Sequence, residues 1–172
     1  MPADGSFTST EDEALFSAIG RLVISWAHLE AGLQATIEIV HFSLEGAHHE
    51  QILPRALNKK LAYLRRAITR IAGDEIADPW LAFFDDVARE SDQRHDIIHG
   101  FIIQHAEATG AAKAIRVIHE RERTKLKPVE LSTISILQAA NRAQKLARRA
   151  LLFPMAVHEF CSDGQNNSAP NH

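Results

Sequence analysis

The chain has 172 residues, of which 45% are hydrophobic and 24% charged, a balance typical of one globular domain with a sizeable core. Its net charge of −3 excludes a uniformly basic nucleic-acid-binding protein, and its single cysteine excludes an internal disulfide framework. The sequence has no apolar run of membrane-spanning length and no signal-peptide pattern, so we expect a cytoplasmic protein without a membrane partner.

The first predicted element is a long amphipathic helix. Residues 1–9 are expected to form a disordered lead-in, after which Thr10 to Glu13 form a capping-box pattern with acidic residues in the first turn. Apolar residues then recur every three or four positions, and Gly46 is the expected end of the helix. The predicted stripe consists of Leu15, Ile19, Leu22, Trp26, Leu29, Leu33, Ile37 and Val40.

Two shorter helices are expected next. The second is predicted near residues 52–72, with Gly73 as a natural stop. The third opens at Pro79, which suits a first helical position, and is expected to end near Gly100. Its apolar face includes Trp80, Phe83, Phe84 and Val87.

The hydrophobic period changes after the third helix. Two β-branched runs predict a β-hairpin over about residues 100–119. A basic arm at 121–127 is a candidate for a further extended segment, and Pro128 is expected to interrupt it.

A last helix is predicted to begin at Ser132, its expected cap, and to run to about Phe160. Pro154 is expected to kink this helix or to end it early. Residues 161–172 are polar and are expected to form a disordered tail. One face of the helix is predicted to carry Leu137, Ala140, Gln144, Ala147 and Leu151.

These elements predict an all-α fold. We expect an antiparallel four-helix bundle with a small β-hairpin insertion between the third and last long helices, and one domain over residues 10–160. The first helix has a longer apolar stripe than the second. Because another subunit would cover the excess, we expect a homodimer.

The densest cluster of reactive side chains lies at the end of the third predicted helix, where Arg94, His95, Asp96 and His99 fall within six positions. A guanidinium can hold a phosphate in a planar fork, and an imidazole can move a proton near neutral pH. The cluster therefore predicts a site that handles phosphodiesters.

The spacing of this cluster is not unique. Arginine followed by histidine after four to six residues occurs as Arg94/His99, Arg89/His95 and Arg21/His28. Only the first pair combines a polar residue directly after the arginine, a following Ile-Ile-His-Gly and a position at a helix end.

The pattern Arg-x4-His with a polar residue after the arginine resembles the HEPN superfamily, small helical-bundle proteins of prokaryotic conflict systems and of some eukaryotic nucleases. Arg94, His95 and His99 match its motif, although asparagine is commoner at the second position. The layout is also similar, with Trp-Ala-His-Leu-Glu at 26–30 in a long first helix. The resemblance covers roughly residues 10–160 in layout and only the motif in chemistry.

The resemblance implies a metal-independent endoribonuclease without a cofactor, a component of toxin–antitoxin or phage-defence systems. An RNA 2′-hydroxyl would attack the neighbouring phosphate, leaving a cyclic phosphate and a 5′-hydroxyl. His99 would act as general base or acid, and Arg94 would stabilise charge on the phosphate. His95 would orient the site or carry a second proton, and Asp96 would fix a histidine tautomer or cap the helix locally.

Helical geometry constrains this site. Residues five apart on a regular helix differ by about 140° in direction, so Arg94 and His99 would not face one point, whereas His95 and His99 would lie within about 40°. Either the helix unwinds before Gly100, or two copies of the motif meet across a dimer interface, as the resemblance implies. We favour the second.

Basic residues are concentrated downstream of the motif. Residues 1–110 carry nine Lys/Arg against seventeen Asp/Glu, and residues 111–158 carry ten against three. Such asymmetry favours an anionic partner, and we expect this partner to be RNA held through its phosphates. The candidate cations are Arg116, Arg121, Arg123, Lys125 and Lys127 from the hairpin and arm, and Arg142, Lys145, Arg148 and Arg149 from the last helix.

Three alternatives remain open. The chain could be a non-catalytic HEPN-like dimeric module that binds a nucleotide or a protein partner, such as an antitoxin or a nucleotidyltransferase. His95 and His99, four apart, could be metal ligands, although no third ligand follows. Finally, the motif could be purely structural, with Arg94 and His99 paired to nearby carboxylates, namely Asp85, Asp86, Glu90 or Asp92.

Overall fold

The computed structural model describes residues 10–43, 52–106, 111–120 and 123–166. These ranges are mostly helical, as predicted, with a small antiparallel sheet. None of the described helices combines the length and the apolar character that crossing a membrane requires. The elements in chain order are α1 Thr10–Ser43, α2 Leu57–Ile98, β1 Gly100–Ala106, β2 Ala111–Glu120, β3 Arg123–Ser132 and α3 Thr133–Asn166.

α1 is the long amphipathic helix that the sequence predicts. Seven of the eight residues in the predicted stripe are buried, and Ile19 is half-buried. Trp26 anchors the core, and its indole Nε1–H donates to Glu30 Oε1 at 2.8 Å. The predicted end at Gly46 and the lead-in at 1–9 lie outside the described residues.

The second and third predicted helices are one continuous helix, α2, so the predicted break between Gly73 and Pro79 is wrong. An interior glycine costs a helix about 1 kcal/mol and an interior proline about 3 kcal/mol. Burial on the following turns offsets this cost, because Phe83 and Phe84 are fully buried and each contributes about 1.5–3 kcal/mol. The described ranges consequently contain three long helices rather than four.

The sheet has the strand order β1-β2-β3, with both neighbouring pairs antiparallel. The pairing of β1 with β2, from Gly100↔Arg116 to Ala106↔Ala111, confirms the predicted hairpin. Residues 123–127 of the basic arm belong to β3, which continues through Pro128 instead of being interrupted there, and residues 121 and 122 lie outside the described residues. An edge strand tolerates proline because its outer side needs no ladder hydrogen bond.

α3 begins at its predicted cap. Ser132 Oγ accepts from the Ser135 N–H at 3.0 Å, and Ser135 Oγ accepts from the Ser132 N–H at 2.9 Å. The helix then runs through Pro154, so the predicted early end is wrong. Phe153 explains the continuation, since it is fully buried and its ring centroid lies 3.9 Å from that of Trp80. The first six residues of the predicted tail are helical, and 167–172 lie outside the described residues.

The buried face of α3 differs in part from the predicted one. Ala140 and Ala147 are buried and Leu137 is half-buried, but Gln144 and Leu151 are exposed. The observed face is rich in alanine, which allows close packing of helices. It consists of Ile136, Ala139, Ala140, Ala143, Leu146, Ala147, Ala150, Phe153 and Val157.

The chain divides into two compact units. The described residues of Met1–Ser25 and Glu90–Ala143 form the first, which holds the sheet and the candidate motif. The second unit consists of the described residues of Trp26–Arg89 and Gln144–His172. Its core contains a cluster of aromatic rings. Each helix contributes to both units.

Two glycines of α1 predict opposite changes in stability. A Cβ at Gly32 would lie 2.6 Å from the Ala150 backbone carbon, so Gly32→Ala should lower the free energy of unfolding by about 1–3 kcal/mol. A Cβ at Gly20 meets nothing within 4 Å, so Gly20→Ala should raise that free energy by about 0.5–1 kcal/mol. Urea unfolding of both variants checks the contrast, and equal effects would contradict the close packing of α1 on α3.

Candidate phosphodiester site at the end of α2

The predicted motif lies where α2 joins β1. Arg94, His95 and Asp96 belong to the last turns of α2, which ends at Ile98. The His99 N–H still donates to the His95 carbonyl at 3.0 Å, so the helical hydrogen bonding reaches His99. Unwinding before Gly100, the first way to reconcile the motif with helical geometry, is therefore not observed.

Gly100 makes the junction from helix to strand possible. A Cβ at this position would lie 2.5 Å from the Asp96 carbonyl oxygen and 3.3 Å from the Ala114 Cβ. Because the nearer contact is with backbone, no larger residue fits without moving the chain. The glycine thus lets β1 start directly after His99.

The two histidines of the motif lie side by side. The ring centroids of His95 and His99 are 5.0 Å apart, as their four-residue spacing predicts. The Nδ1 of half-buried His95 lies 3.2 Å from the Ser91 carbonyl oxygen, which can only accept, so this nitrogen carries a hydrogen. His99 is exposed, and the pair therefore presents imidazole nitrogen to solvent.

The surroundings of His99 favour its neutral form. Its pKa is lowered from the ordinary 6.5 by partial desolvation and by the positive charges of His95, Arg94 and Arg116. A neutral imidazole near neutral pH can accept a proton from a reacting hydroxyl.

Asp96 holds the end of α2 onto the sheet. Its Oδ1 accepts from Arg116 Nη1 and its Oδ2 accepts from Lys127 Nζ, both at 2.6 Å. Burial acts to raise the pKa of this carboxyl, but hydrogen bonds from Lys127 and Arg116 outweigh it and lower the pKa. These contacts are to β2 and β3, so Asp96 positions the end of α2 against the sheet.

Several predicted RNA-binding cations bind other parts of the protein. Arg116 and Lys127 hold Asp96, as described. Arg142 Nε donates to Glu90 Oε2 at 2.9 Å, and the same guanidinium contacts Gln93. In the second unit, the Arg149 guanidinium lies over the ring of Phe83, with 4.8 Å between its Cζ and the ring centroid.

The other predicted RNA-binding cations are exposed or lie outside the described parts. Lys125 is exposed on β3, and Lys145 and Arg148 are exposed on α3. Arg123 occupies the first position of β3, whereas Arg121 lies outside the described residues. Among the predicted RNA-binding cations with described side chains, Lys125 and Lys127 are exposed in the same unit as the motif.

Most carboxylates near the motif pair with cations other than Arg94. Glu90 binds Arg142, and the second unit contains the pairs Arg65–Asp85 and Arg89–Asp86. Three of the four acids that the structural alternative offers, Asp85, Asp86 and Glu90, thus form ion pairs with other arginines.

In the described parts of the chain, no three His, Cys, Asp or Glu side chains come together as a metal site. Comparison of the chain with protein-family models, with curated proteins and with solved structures gave no match.

The cluster of Asp96, Arg116 and Lys127 was missed by sequence reasoning, which assigned both cations to RNA. The only feature that indicates this cluster is the strand register, which places Arg116 opposite Lys127. That register could not be read before β3 was recognised as the partner of β2.

Proposed function

We propose that this protein is a metal-independent endoribonuclease that resembles HEPN proteins and cleaves RNA by attack of a 2′-hydroxyl. The observation that carries the proposal is the pair of imidazoles, whose ring centroids lie 5.0 Å apart at the end of α2, with Arg94 directly before His95 in the chain. Two proton carriers and a guanidinium are the groups that this transesterification needs.

The reaction assigns one role to each group. Neutral His99 removes the proton of the 2′-hydroxyl as its oxygen forms a bond to phosphorus. The bond from phosphorus to the 5′-oxygen breaks, and His95 in its protonated form donates a proton to that oxygen. Arg94 stabilises the charge on the pentacoordinate phosphorus.

We further propose that two copies of the chain meet, so that each motif is completed by its partner. An apolar outer face of α1 supports this, since Phe16, Val23 and Ile24 are 48%, 47% and 59% exposed. Gly20 on the same stretch has open space beside it, which would admit another helix. A chain that sediments only as a monomer at micromolar concentration would contradict the dimer.

The experiment that tests the proposal is cleavage of RNA in EDTA, followed by analysis of the product ends. The proposed chemistry yields 2′,3′-cyclic phosphate and 5′-hydroxyl ends, and RNA with 2′-O-methyl groups is not cleaved. Loss of all activity in EDTA would contradict metal independence. Products with 5′-phosphate ends would contradict attack by the 2′-hydroxyl.

The pH profile provides a further prediction. Since the base must be neutral and the pKa of His99 is lowered from 6.5, kcat/KM should rise with pH through a value below 6.5. His95→Asn removes one of the charges that lower this pKa, so the acid limb should move to higher pH while kcat falls by about 10²-fold. His28→Asn, at an exposed histidine of α1, should leave the limb in place. An unmoved limb in His95→Asn would contradict the coupling of the pair.

A further inference from the structure

The second half of α3 has an apolar face that is turned toward solvent. Leu151, Leu152 and Met155 are 52%, 64% and 62% exposed. The other side of the same stretch is already buried, since Phe153 and Val157 belong to the core. A helix on the surface of one subunit needs a single apolar face, so a second one on the same stretch indicates contact with another molecule.

The exposed face of α3 continues into an open groove. The groove is lined by one residue of α1 and four of α3, namely Ile39, Pro154, Met155, His158 and Glu159. Leu151 lies on the same side of the helix one turn earlier, because residues at i, i+4 and i+7 share a side. A protruding leucine and a cavity therefore lie next to each other, both within the second unit.

The exposed face has opposite charges at its two ends. Arg148, Leu152, Met155 and Glu159 are spaced by four, three and four residues, which places them in one row along the helix. All four are exposed. The positions three and four residues from Arg148 and from Glu159 hold no opposite charge, so neither has a partner of the i, i+3 or i, i+4 kind on α3. The row is thus positive, apolar, apolar and negative, and its centre lies between Leu152 and Met155.

We infer that two copies of this chain pack their α3 helices antiparallel through this face, related by a two-fold axis between Leu152 and Met155. Leu152 then lies opposite the partner's Met155, and Arg148 lies opposite the partner's Glu159. A parallel arrangement would instead bring like charges together at both ends, so the charges select the antiparallel one. The inference goes beyond the proposed function, since the row and the groove lie in the second unit and the motif lies in the first.

The groove fits the same arrangement. A two-fold axis of this kind reverses the direction of the helix but keeps each residue on its own side. The partner's Leu151 consequently comes opposite Ala156 on the side of the groove, and it enters the groove beside Met155. Two equivalent leucines fill two equivalent grooves, as a contact between identical surfaces requires.

The contact through α3 is separate from the one proposed for α1, because Phe16 and Val23 belong to the first unit. A chain with two self-complementary surfaces can join more than two copies. The α3 contact is therefore measured in the full-length chain carrying Val23→Glu, which places a charge on the outer face of α1. We call this chain the parent chain.

Charge reversal tests the inference by sedimentation equilibrium. Arg148→Glu and Glu159→Arg, each added to the parent chain, should raise the Kd of self-association about tenfold at low salt, since like charges then meet twice across the axis. Mixed in equal amounts, the two variants should associate with each other about as tightly as the parent chain does with itself, because every charge again meets its opposite. High salt should reduce these differences.

Met155→Glu tests the apolar centre of the contact. It should raise the Kd of the parent chain more than tenfold at low and at high salt, because it places a charge among apolar side chains. The matched control is Ile134→Glu, at an apolar residue of α3 that is 69% exposed and lies in the first unit. This control should associate like the parent chain.

Three outcomes would overturn the inference. The parent chain could remain a monomer at every concentration up to about 100 µM, which corresponds to a contact too weak to be specific. The mixed charge-reversal variants could associate no more tightly than each does alone, or Ile134→Glu could weaken association as much as Met155→Glu. Circular dichroism of each variant confirms that the fold is retained. Failure of the proposed function looks different, since the chain would then associate through α3 without cleaving RNA.

Discussion

His99→Ala is expected to lower kcat/KM for RNA cleavage in EDTA by about 10³-fold, the range for loss of a positioned general base. His99 is exposed, so its removal leaves the core intact and should change the free energy of unfolding by less than about 0.5 kcal/mol. The loss should appear mainly in kcat, because the imidazole acts on the reacting hydroxyl and does not hold the strand. Single-turnover cleavage of a labelled RNA measures this directly.

His28→Ala is the matched control for this experiment. His28 is exposed on α1 and belongs to the pair Arg21/His28, which has a permitted spacing of the motif without its context. We expect its kcat/KM to match the wild type. Equal cleavage by His99→Ala and His28→Ala, or no cleavage by the wild type, would contradict the assignment of the active site.

The helices show what local patterns predict well. The stripe of α1 was predictable because apolar residues at steps of three and four have only one buried arrangement over 34 residues. The continuity of α2 through Gly73 and Pro79 was not predictable, since the cost of these residues is local and the burial that offsets it comes from residues distant in sequence. Phe153 on α3, which contacts Phe84 with ring centroids 5.6 Å apart, is such a residue.

The candidate site likewise combines features that local sequence patterns predict with features that depend on residues distant in sequence. The approach of His95 to His99 follows from helical spacing alone and was predicted. The functions of Arg116 and Lys127 depend on a strand register and on Asp96, 20 and 31 residues away. The sequence predicted that both cations bind RNA, and it could not indicate that each of them contacts a carboxylate of the same chain.

Asp96→Ala is expected to lower the free energy of unfolding by about 2–3 kcal/mol at neutral pH. Most of this loss comes from Arg116, which is 21% exposed and would keep its charge without a carboxylate. Lys127 is 49% exposed and contributes little, because solvent screens its charge. Asp92→Ala, at an exposed aspartate of the same helix, is the control and should cost less than about 0.5 kcal/mol.

The pH dependence of the difference in the free energy of unfolding between wild type and Asp96→Ala identifies its cause. The folded pKa of Asp96 lies below the ordinary 3.8, so the stabilisation is fully present above 3.8 and is lost as the pH falls through the folded value. The gap between wild type and Asp96→Ala in urea unfolding should thus stay constant from about pH 5 to pH 8 and shrink toward about pH 2. A gap that persists in acid would mean that Asp96 stabilises the junction through packing and not through its charge. Asp96→Ala should also lower kcat, because Asp96 holds the end of α2, which carries His95 and His99, against the sheet.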